Sequence, residues 1–180
     1  KAIQDILDKS NLVVGHNLKF DMSWLYQCGF TYKGKLYDTM LGEYIINRGE
    51  KKSVSLKESC KRRGISLKSD ILATYMSEGY GIHQIPMSKL EEYGKQDVKI
   101  TKELYEVQTQ AFDNHANNNL IPTRDLMNNF LQVLIDMEMN GNHVDSDKLD
   151  LVEKELNQEY YKLKSKIDKI VAQMMGDTKI

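Results

Sequence analysis

The strongest structural signal in the sequence is an amphipathic pattern that runs from Ser88 to Gln108. With a rotation of about 100° per residue, one face carries Leu90, Tyr93, Asp97 and Leu104, whereas the opposite face is densely charged. This pattern predicts a long helix with one side against a core. Asp97 is the only carboxylate on the apolar face, and an ionised carboxylate there is costly unless a partner stabilises it.

The segments before this helix are short and are separated by turn-forming residues. An apolar run bounded by turn formers predicts a buried strand, and a helical period with a capping residue in front predicts a helix. The fold class that follows is α/β and mostly helical. We predict helices over 2–10, 20–28, 38–46 and 55–63, strands over 12–15 and 35–37, and a loop over 73–86.

The last third of the chain changes character. An asparagine-rich linker over 115–119 is followed by Pro122, which suits the start of a helix. Two long helices are predicted over 122–140 and 146–175, separated by an Asn-Gly-Asn turn. We therefore expect two domains, with residues 1–115 in the first and residues 116–180 in the second.

A second carboxylate repeats the anomaly of Asp97. Asp21 begins a predicted helix and lies on the side that Trp24, Leu25 and Cys28 should bury. Two acidic side chains that point inward suggest a shared cation. Two structural explanations remain open: Asp21 could favour a helix N-terminus through the macrodipole, and Asp97 could pair with a buried Lys or Arg.

Composition limits the class of protein. The formal net charge of -1 excludes binding of nucleic acid through gross basicity, although a local basic cluster is present. Two cysteines, both predicted to be buried, suggest a reducing compartment, so the expected location is the cytoplasm of a bacterium or a phage-infected host. No apolar run approaches the roughly 20 residues of a membrane helix. The cluster that could contact nucleic acid consists of Lys57, Lys61, Arg62 and Arg63.

Several of these segments resemble a known enzyme family. Residues 16–21, His-Asn-Leu-Lys-Phe-Asp, resemble the second motif of DEDD-type 3′–5′ exonucleases, and residues 93–97, Tyr-Gly-Lys-Gln-Asp, resemble the third motif in its tyrosine variety. Residues 37–41 and 55–58 resemble the segments between these motifs in family A DNA polymerases, and phage-type enzymes are the most similar. Residues 134–145 resemble the segment that leads from the exonuclease into the polymerase.

The resemblance implies a ribonuclease H-like exonuclease fold followed by the first helices of the polymerase. It implies that Asp21 and Asp97 bind two Mg²⁺ or Mn²⁺ ions and that Tyr93 orients the attacking water. Asn17 and Phe20 would hold the terminal nucleotide at the 3′ end of single-stranded DNA. The implied partners are this DNA and the remainder of the polymerase chain, with no membrane.

One part of the family pattern is missing. The first motif, Asp-x-Glu, lies several tens of residues upstream of the second motif in the family, but here only 20 residues precede Asp21 and none of them forms Asp-x-Glu. The chain also begins at Lys1 without an initiator Met. We therefore expect a fragment that lacks the first strands of the sheet, stops before the polymerase motifs and has little or no exonuclease activity.

Three alternatives remain open at this stage. The chain could be a catalytically dead nucleic-acid-binding or scaffold module that lost its first motif. It could be an RNA-processing exonuclease of the same superfamily, although that reading predicts basic long helices and residues 145–159 are rich in acid. A purely structural helical protein would require both motifs to occur by chance.

Overall fold

The computed structural model describes residues 2–67 and 71–176, which form two short strands and a series of helices. By packing, the chain divides into one compact unit that ends at Asn140 and a second that begins at Gly141. The strands are β1 (Leu12–Gly15) and β2 (Lys35–Asp38). The helices are α1 (Ala2–Lys9), α2 (Leu18–Gln27), α3 (Thr39–Ile46), α4 (Leu56–Arg62), α5 (Ile71–Ser77), α6 (Met87–Asp113), α7 (Ile121–Asn140) and α8 (Ser146–Gly176).

The two strands form a parallel pair, with Leu12 opposite Lys35 and Gly15 opposite Asp38. Helix α2 is the crossover between them, as parallel strands require. Both predicted strands are confirmed, but the expectation that β1 is buried is wrong. Leu12 is exposed and the other three residues of β1 are only half-buried. Within the described ranges β1 pairs with β2 alone, so its second edge stays open.

Helix α7 packs on this sheet together with α2. Their shared core contains Met22 from α2, Leu36 from β2, and Leu131 and Ile135 from α7. Leu131 and Ile135 are spaced by one helical turn, so both project from one face of α7 towards the strand. The first compact unit consequently includes α7. The domain boundary predicted after residue 115 differs from the packing boundary after Asn140. That residue 115 separates two functional domains stays a prediction.

A second core cluster joins α4 to α6 through Cys60, Ile65, Ile100 and Leu104. The long amphipathic helix is confirmed and extends beyond its predicted end to Asp113. Cys60 is fully buried, as expected. Burial raises the pKa of the Cys60 thiol to about 11, and nearby carboxylates add to the effect.

Two local predictions are wrong. The buried residues of α2 are Leu18 and Met22, whereas Trp24 and Cys28 are exposed. The buried residues of α7 pack against Leu18 and Met22. Helix α2 therefore buries a different face from the one that its apolar residues alone predict. The predicted loop over 73–86 instead contains most of α5 and a 3₁₀ turn over Ile82–Gln84.

The second unit contains helix α8, whose N-terminus is capped by Asp145. The Asp145 carboxylate accepts a hydrogen bond from the Lys148 backbone N–H at 3.0 Å. No helix in the described ranges is long and apolar enough to cross a membrane. The large apolar side chains of α8 are exposed and several recur at intervals of seven residues: Leu149, Leu156, Leu163 and Ile170.

Candidate metal and nucleic-acid site

A cleft of about 650 Å³ lies between β1, α2 and α6. Its walls include Val13 from the strand, Met22 from α2 and Val98 from α6. Asp21 and Asp97, the two carboxylates that the sequence singled out, both line it. The fold therefore brings together two acidic side chains that are far apart in the sequence.

The turn from β1 into α2 sets the position of Asp21. Asn17 adopts a left-handed conformation with φ of 59° and precedes the first residue of α2. Asparagine tolerates this conformation better than most residues that carry a side chain. Because the chain reverses sharply at Asn17, α2 begins directly after the strand and Asp21 falls in its first turn.

Asp21 is exposed on the cleft wall, so the interpretation that it points into the core is wrong. The protein around it still removes water, and this desolvation raises the pKa of Asp21 above its usual value. The buried Asp38 carboxylate raises it further. The ionised form of Asp21 is thus destabilised in the free protein, and a bound cation would relieve that cost.

Asp97 is half-buried on α6, and Tyr93 is half-buried one turn before it on the same helix. Among the described residues that line the cleft, Asp97 is present and Tyr93 is not. Carboxylate oxygens are the donors that Mg²⁺ and Mn²⁺ prefer, so the chemistry of Asp21 and Asp97 fits such an ion. Over 2–67 and 71–176, however, no three His, Cys, Asp or Glu side chains are arranged to hold a metal.

The sequence interpretation gave no functional part to His16, yet this residue also lines the cleft. Its Nδ1 lies 2.9 Å from Thr39 Oγ1, and Thr39 donates to the Gly15 carbonyl at 3.0 Å. Burial lowers the pKa of His16, although the Asp38 carboxylate and a hydrogen bond with the Val54 carbonyl oppose the change. The only feature of the sequence that indicated a place for His16 near the site was its position between the predicted strand and Asn17.

An exposed aromatic pair lies on α2 beside the cleft residues of that helix. Phe20 and Trp24 are 60% and 56% exposed, and their rings meet edge to face with centroids 6.3 Å apart. Phe20 was a predicted site residue. The apolar character of Trp24 predicts a core residue, but its spacing of four residues from Phe20 indicates a shared helix face.

The predicted basic cluster is divided by the structure. Arg62 and Arg63 both donate to the Glu43 carboxylate, at 2.6 Å from Arg62 Nη1 and 3.0 Å from Arg63 Nε. The Glu43 side chain is fully buried, so these two arginines hold α3 and the end of α4 together. Lys57 and Lys61 remain exposed.

Comparison with known proteins agrees with these motifs. Residues 1–110 match the family model of the 3′-5′ exonuclease of family A DNA polymerases. DNA polymerase I of Borreliella burgdorferi is 24% identical over an alignment 156 positions long, gaps included, that covers 83% of this chain and 16% of that protein. DNA polymerase I of Aquifex aeolicus is 28% identical over an alignment 197 positions long, gaps included, that covers 92% of this chain and 32% of that protein.

This chain thus spans about a sixth and about a third of the length of these two relatives. No solved structure matches it. The matched residues include the cleft with Asp21 and Asp97, the turn at Asn17 and the aromatic pair on α2. The chain belongs to the 3′-5′ exonuclease family of family A DNA polymerases.

Proposed function

We propose that this chain is part of a DNA polymerase whose exonuclease removes nucleotides from the 3′ end of single-stranded DNA. The observation that supports this most directly is the shared cleft of Asp21 and Asp97, since each aspartate lies in a segment that resembles a different exonuclease motif. In this proposal the strands and helices around the cleft belong to a ribonuclease H-like fold. Asp21 and Asp97 are the metal ligands of the chain.

When bound, Mg²⁺ or Mn²⁺ ions would supply activation of a water molecule and neutralise charge on the leaving 3′ oxygen. Asp21 on α2 and Asp97 on α6 both line the cleft and would hold these ions. Tyr93, one turn from Asp97, would orient the attacking water through its hydroxyl. Because no three potential ligands among the described residues are arranged around one point, we expect weak metal binding and little or no hydrolysis by this chain alone.

The terminal nucleotide would lie against α2. Phe20 and Trp24 present open ring surface, and bases stack on exposed aromatic side chains with little sequence preference. Asn17 is exposed at the turn before this helix and would contact the sugar or phosphate. These three residues therefore form a proposed contact surface for the end of a single strand.

Lys57 and Lys61 are proposed as weaker contacts to the DNA backbone. Both are exposed, whereas Arg62 and Arg63 are occupied by Glu43. If the lysines contact phosphates, replacing both with Gln should reduce the salt dependence of single-strand binding by about 0.7 per charge removed. An unchanged slope would assign both lysines to a solvated helix face.

Helix α8 is proposed to begin the polymerase part of the enzyme. Its exposed leucines at intervals of seven residues are typical of a helix that packs along another helix. The similar proteins are DNA polymerases much longer than this chain, so the proposed occupant of that apolar stripe is the remainder of the polymerase chain. The whole protein is proposed to work in the cytoplasm.

Competition binding tests recognition of a 3′ end. A labelled linear oligonucleotide is bound to the chain in Mn²⁺ and displaced by unlabelled linear DNA or by closed circular single-stranded DNA of the same sequence. We expect linear DNA to compete better, and we expect this preference to be lost in Asp21→Asn/Asp97→Asn. The double variant Asp113→Asn/Asp136→Asn removes the same charge at exposed positions and should keep it.

Equal competition by the two DNA forms would contradict the proposed function. Incubation of a 3′-labelled strand with Mg²⁺ or Mn²⁺ tests the expected lack of hydrolysis. Efficient shortening that disappears in Asp97→Ala would show that the chain is active after all.

A catalytically silent nucleic-acid-binding module is the second candidate, because no three potential ligands among the described residues are arranged to hold a metal. The DNA sequence upstream of the Lys1 codon separates the two candidates. A strand that carries Asp-x-Glu supports the exonuclease, whereas a start codon directly before Lys1 supports the silent module.

A further inference from the structure

Asp38 lies outside the proposed site but touches the segment that builds it. It is the last residue of β2, pairs with Gly15 at the end of β1 and caps helix α3. Its side chain is almost completely buried, with 1% of the residue exposed. A buried carboxylate is stable only if its oxygens accept hydrogen bonds.

Both oxygens of Asp38 are used, and mostly by another segment. Oδ1 accepts from the backbone N–H of Met40 at 2.8 Å, which is an ordinary helix cap. Oδ1 also accepts from Asn17 N at 2.9 Å, and Oδ2 accepts from Leu18 N at 2.9 Å. One carboxylate therefore joins the N-terminus of α3 to the N-terminus of α2.

The main chain of Asp38 is fixed as well. Its backbone N–H donates to Asn128 Oδ1 of α7 at 2.7 Å, and Asn128 Nδ2 donates to the Arg124 carbonyl at 2.9 Å. Asp38 thus cannot shift without breaking contacts to α2, α3 and α7. These contacts fix the position of Asp38 relative to three helices.

The left-handed turn at Asn17 is the element that Asp38 holds. A residue with a side chain pays a conformational cost at φ of 59°, and two hydrogen bonds to a charged acceptor offset that cost. Asp21 follows in the first turn of the helix that starts there. The distance between Asp21 and Asp97, which lines the same cleft from α6, therefore depends on this turn.

We infer that Asp38 is a positioning residue, which clamps the Asn17–Leu18 turn so that Asp21 meets a cation held jointly with Asp97. The metal-binding part of this inference rests on the proposed function. The buried negative charge of Asp38 has a second effect. It adds to the negative potential at Asp21 and so favours a divalent cation in the cleft.

Two substitutions separate the clamp from the ordinary cap. In Asp38→Ser the hydroxyl can still cap Met40 N, but the shorter side chain no longer reaches Asn17 and Leu18. In Asp38→Asn one oxygen is kept and the amide nitrogen faces the Leu18 N–H, so two donors meet. The control is Ser55→Ala, which removes the cap of α4 at Glu58 N and does not touch the cleft.

The full chain is studied by NMR, with amide hydrogen exchange and with Mn²⁺ as a paramagnetic probe. In Asp38→Ser we expect the amide exchange rates of Asn17 and Leu18 to rise at least about tenfold relative to that of Met40. This factor corresponds to the loss of one charge-assisted hydrogen bond. Mn²⁺ should broaden signals near Asp21 in the unmodified chain, and broadening in the variant should require several-fold more Mn²⁺. Ser55→Ala should change neither result.

Unchanged exchange at Asn17 and Leu18 would overturn the clamp. Faster exchange with unchanged Mn²⁺ broadening would overturn the positioning of Asp21, because a purely structural residue would only lower stability. If Asp38→Ser does not fold, Asp38→Asn decides through exchange at Leu18 alone. If Mn²⁺ has no effect on the unmodified chain, the proposed metal site itself fails, and amide exchange still decides whether the clamp exists.

Discussion

Arg63 makes a two-pronged contact with the buried Glu43 carboxylate, with Nε 3.0 Å from Oε2 and Nη2 3.1 Å from Oε1. Arg62 adds a third hydrogen bond at 2.6 Å, and Gln108 of α6 adds a fourth at 3.2 Å. Gly42 permits this crossing of α3 and α6, since a Cβ there would lie 2.5 Å from Gln108 Oε1. The network thus joins three helices around one carboxylate.

The first prediction concerns the stability of this network. Arg63→Ala should lower the free energy of unfolding by about 3–5 kcal/mol, because it leaves a buried carboxylate with an incomplete set of partners. Lys95→Ala removes an exposed ion pair with Glu91 and should cost less than about 0.5 kcal/mol. Chemical unfolding of both variants measures the difference. Equal losses of unfolding free energy would mean that the burial of Glu43 does not strengthen its ion pair.

The second prediction concerns pH. Burial alone would raise the pKa of Glu43, but hydrogen bonds from Arg63 and Arg62 outweigh it and hold the pKa below its usual value of 4.5. A lowered pKa in the folded state stabilises the protein above pH 4.5, and this contribution is lost as the pH falls through the folded-state value.

The stability difference between the unmodified chain and Glu43→Gln should therefore be largest near neutral pH and shrink below pH 4.5. Unfolding curves recorded from pH 7 to pH 3 check this, and carboxyl groups common to both proteins cancel in the comparison. A difference that stays constant over this range would refute the assigned direction of the pKa change.

The third prediction separates two reasons for an asparagine at position 17. Asn17→Gly should keep the stability of the fold, since glycine adopts a left-handed conformation readily, whereas Asn17→Ala should lose about 1 kcal/mol. If the side chain also contacts DNA, both variants should bind a 3′ end more weakly. Thermal unfolding and competition with linear DNA measure the two effects separately. Full binding by Asn17→Gly would reduce Asn17 to a backbone role.

The fourth prediction concerns the aromatic pair. Trp24→Ala should weaken single-strand binding by about 1–3 kcal/mol, the usual value for one stacked base, with little loss of stability because the ring is exposed. Tyr44→Ala removes another exposed ring, on α3, and is the matched control. Fluorescence anisotropy with a labelled oligonucleotide measures both. Equal affinities would exclude Trp24 from the DNA contact.

Local patterns in the sequence were sufficient for most of the secondary structure. Asp38 caps α3, Ser55 caps α4, and Gly64 follows α4 with a positive φ of 74°. These features depend on residues within a few positions of each other, so chain-local physics decides them. The helix α5 was missed because Gly and Tyr in that segment favoured a loop.

The two motifs that contain Asp21 and Asp97 also follow from the sequence, because residue type and spacing carry the family resemblance. The periodicity of the sequence could not predict that the two carboxylates line one cleft. It indicates only which face of a helix is turned away from solvent. The answer depends on how α2 and α6 cross the strand between them.

The sequence by itself determined where most of the helices and both strands lie and which segments resemble the exonuclease motifs, because those properties are set by neighbours along the chain. Only the tertiary structure decided the rest. It exposed Trp24, engaged Arg63 with Glu43 and brought Asp38 to the backbone of Asn17. Each of these outcomes arises from packing between segments distant in sequence, where the rotation of a helix by a fraction of a turn changes which side chains meet.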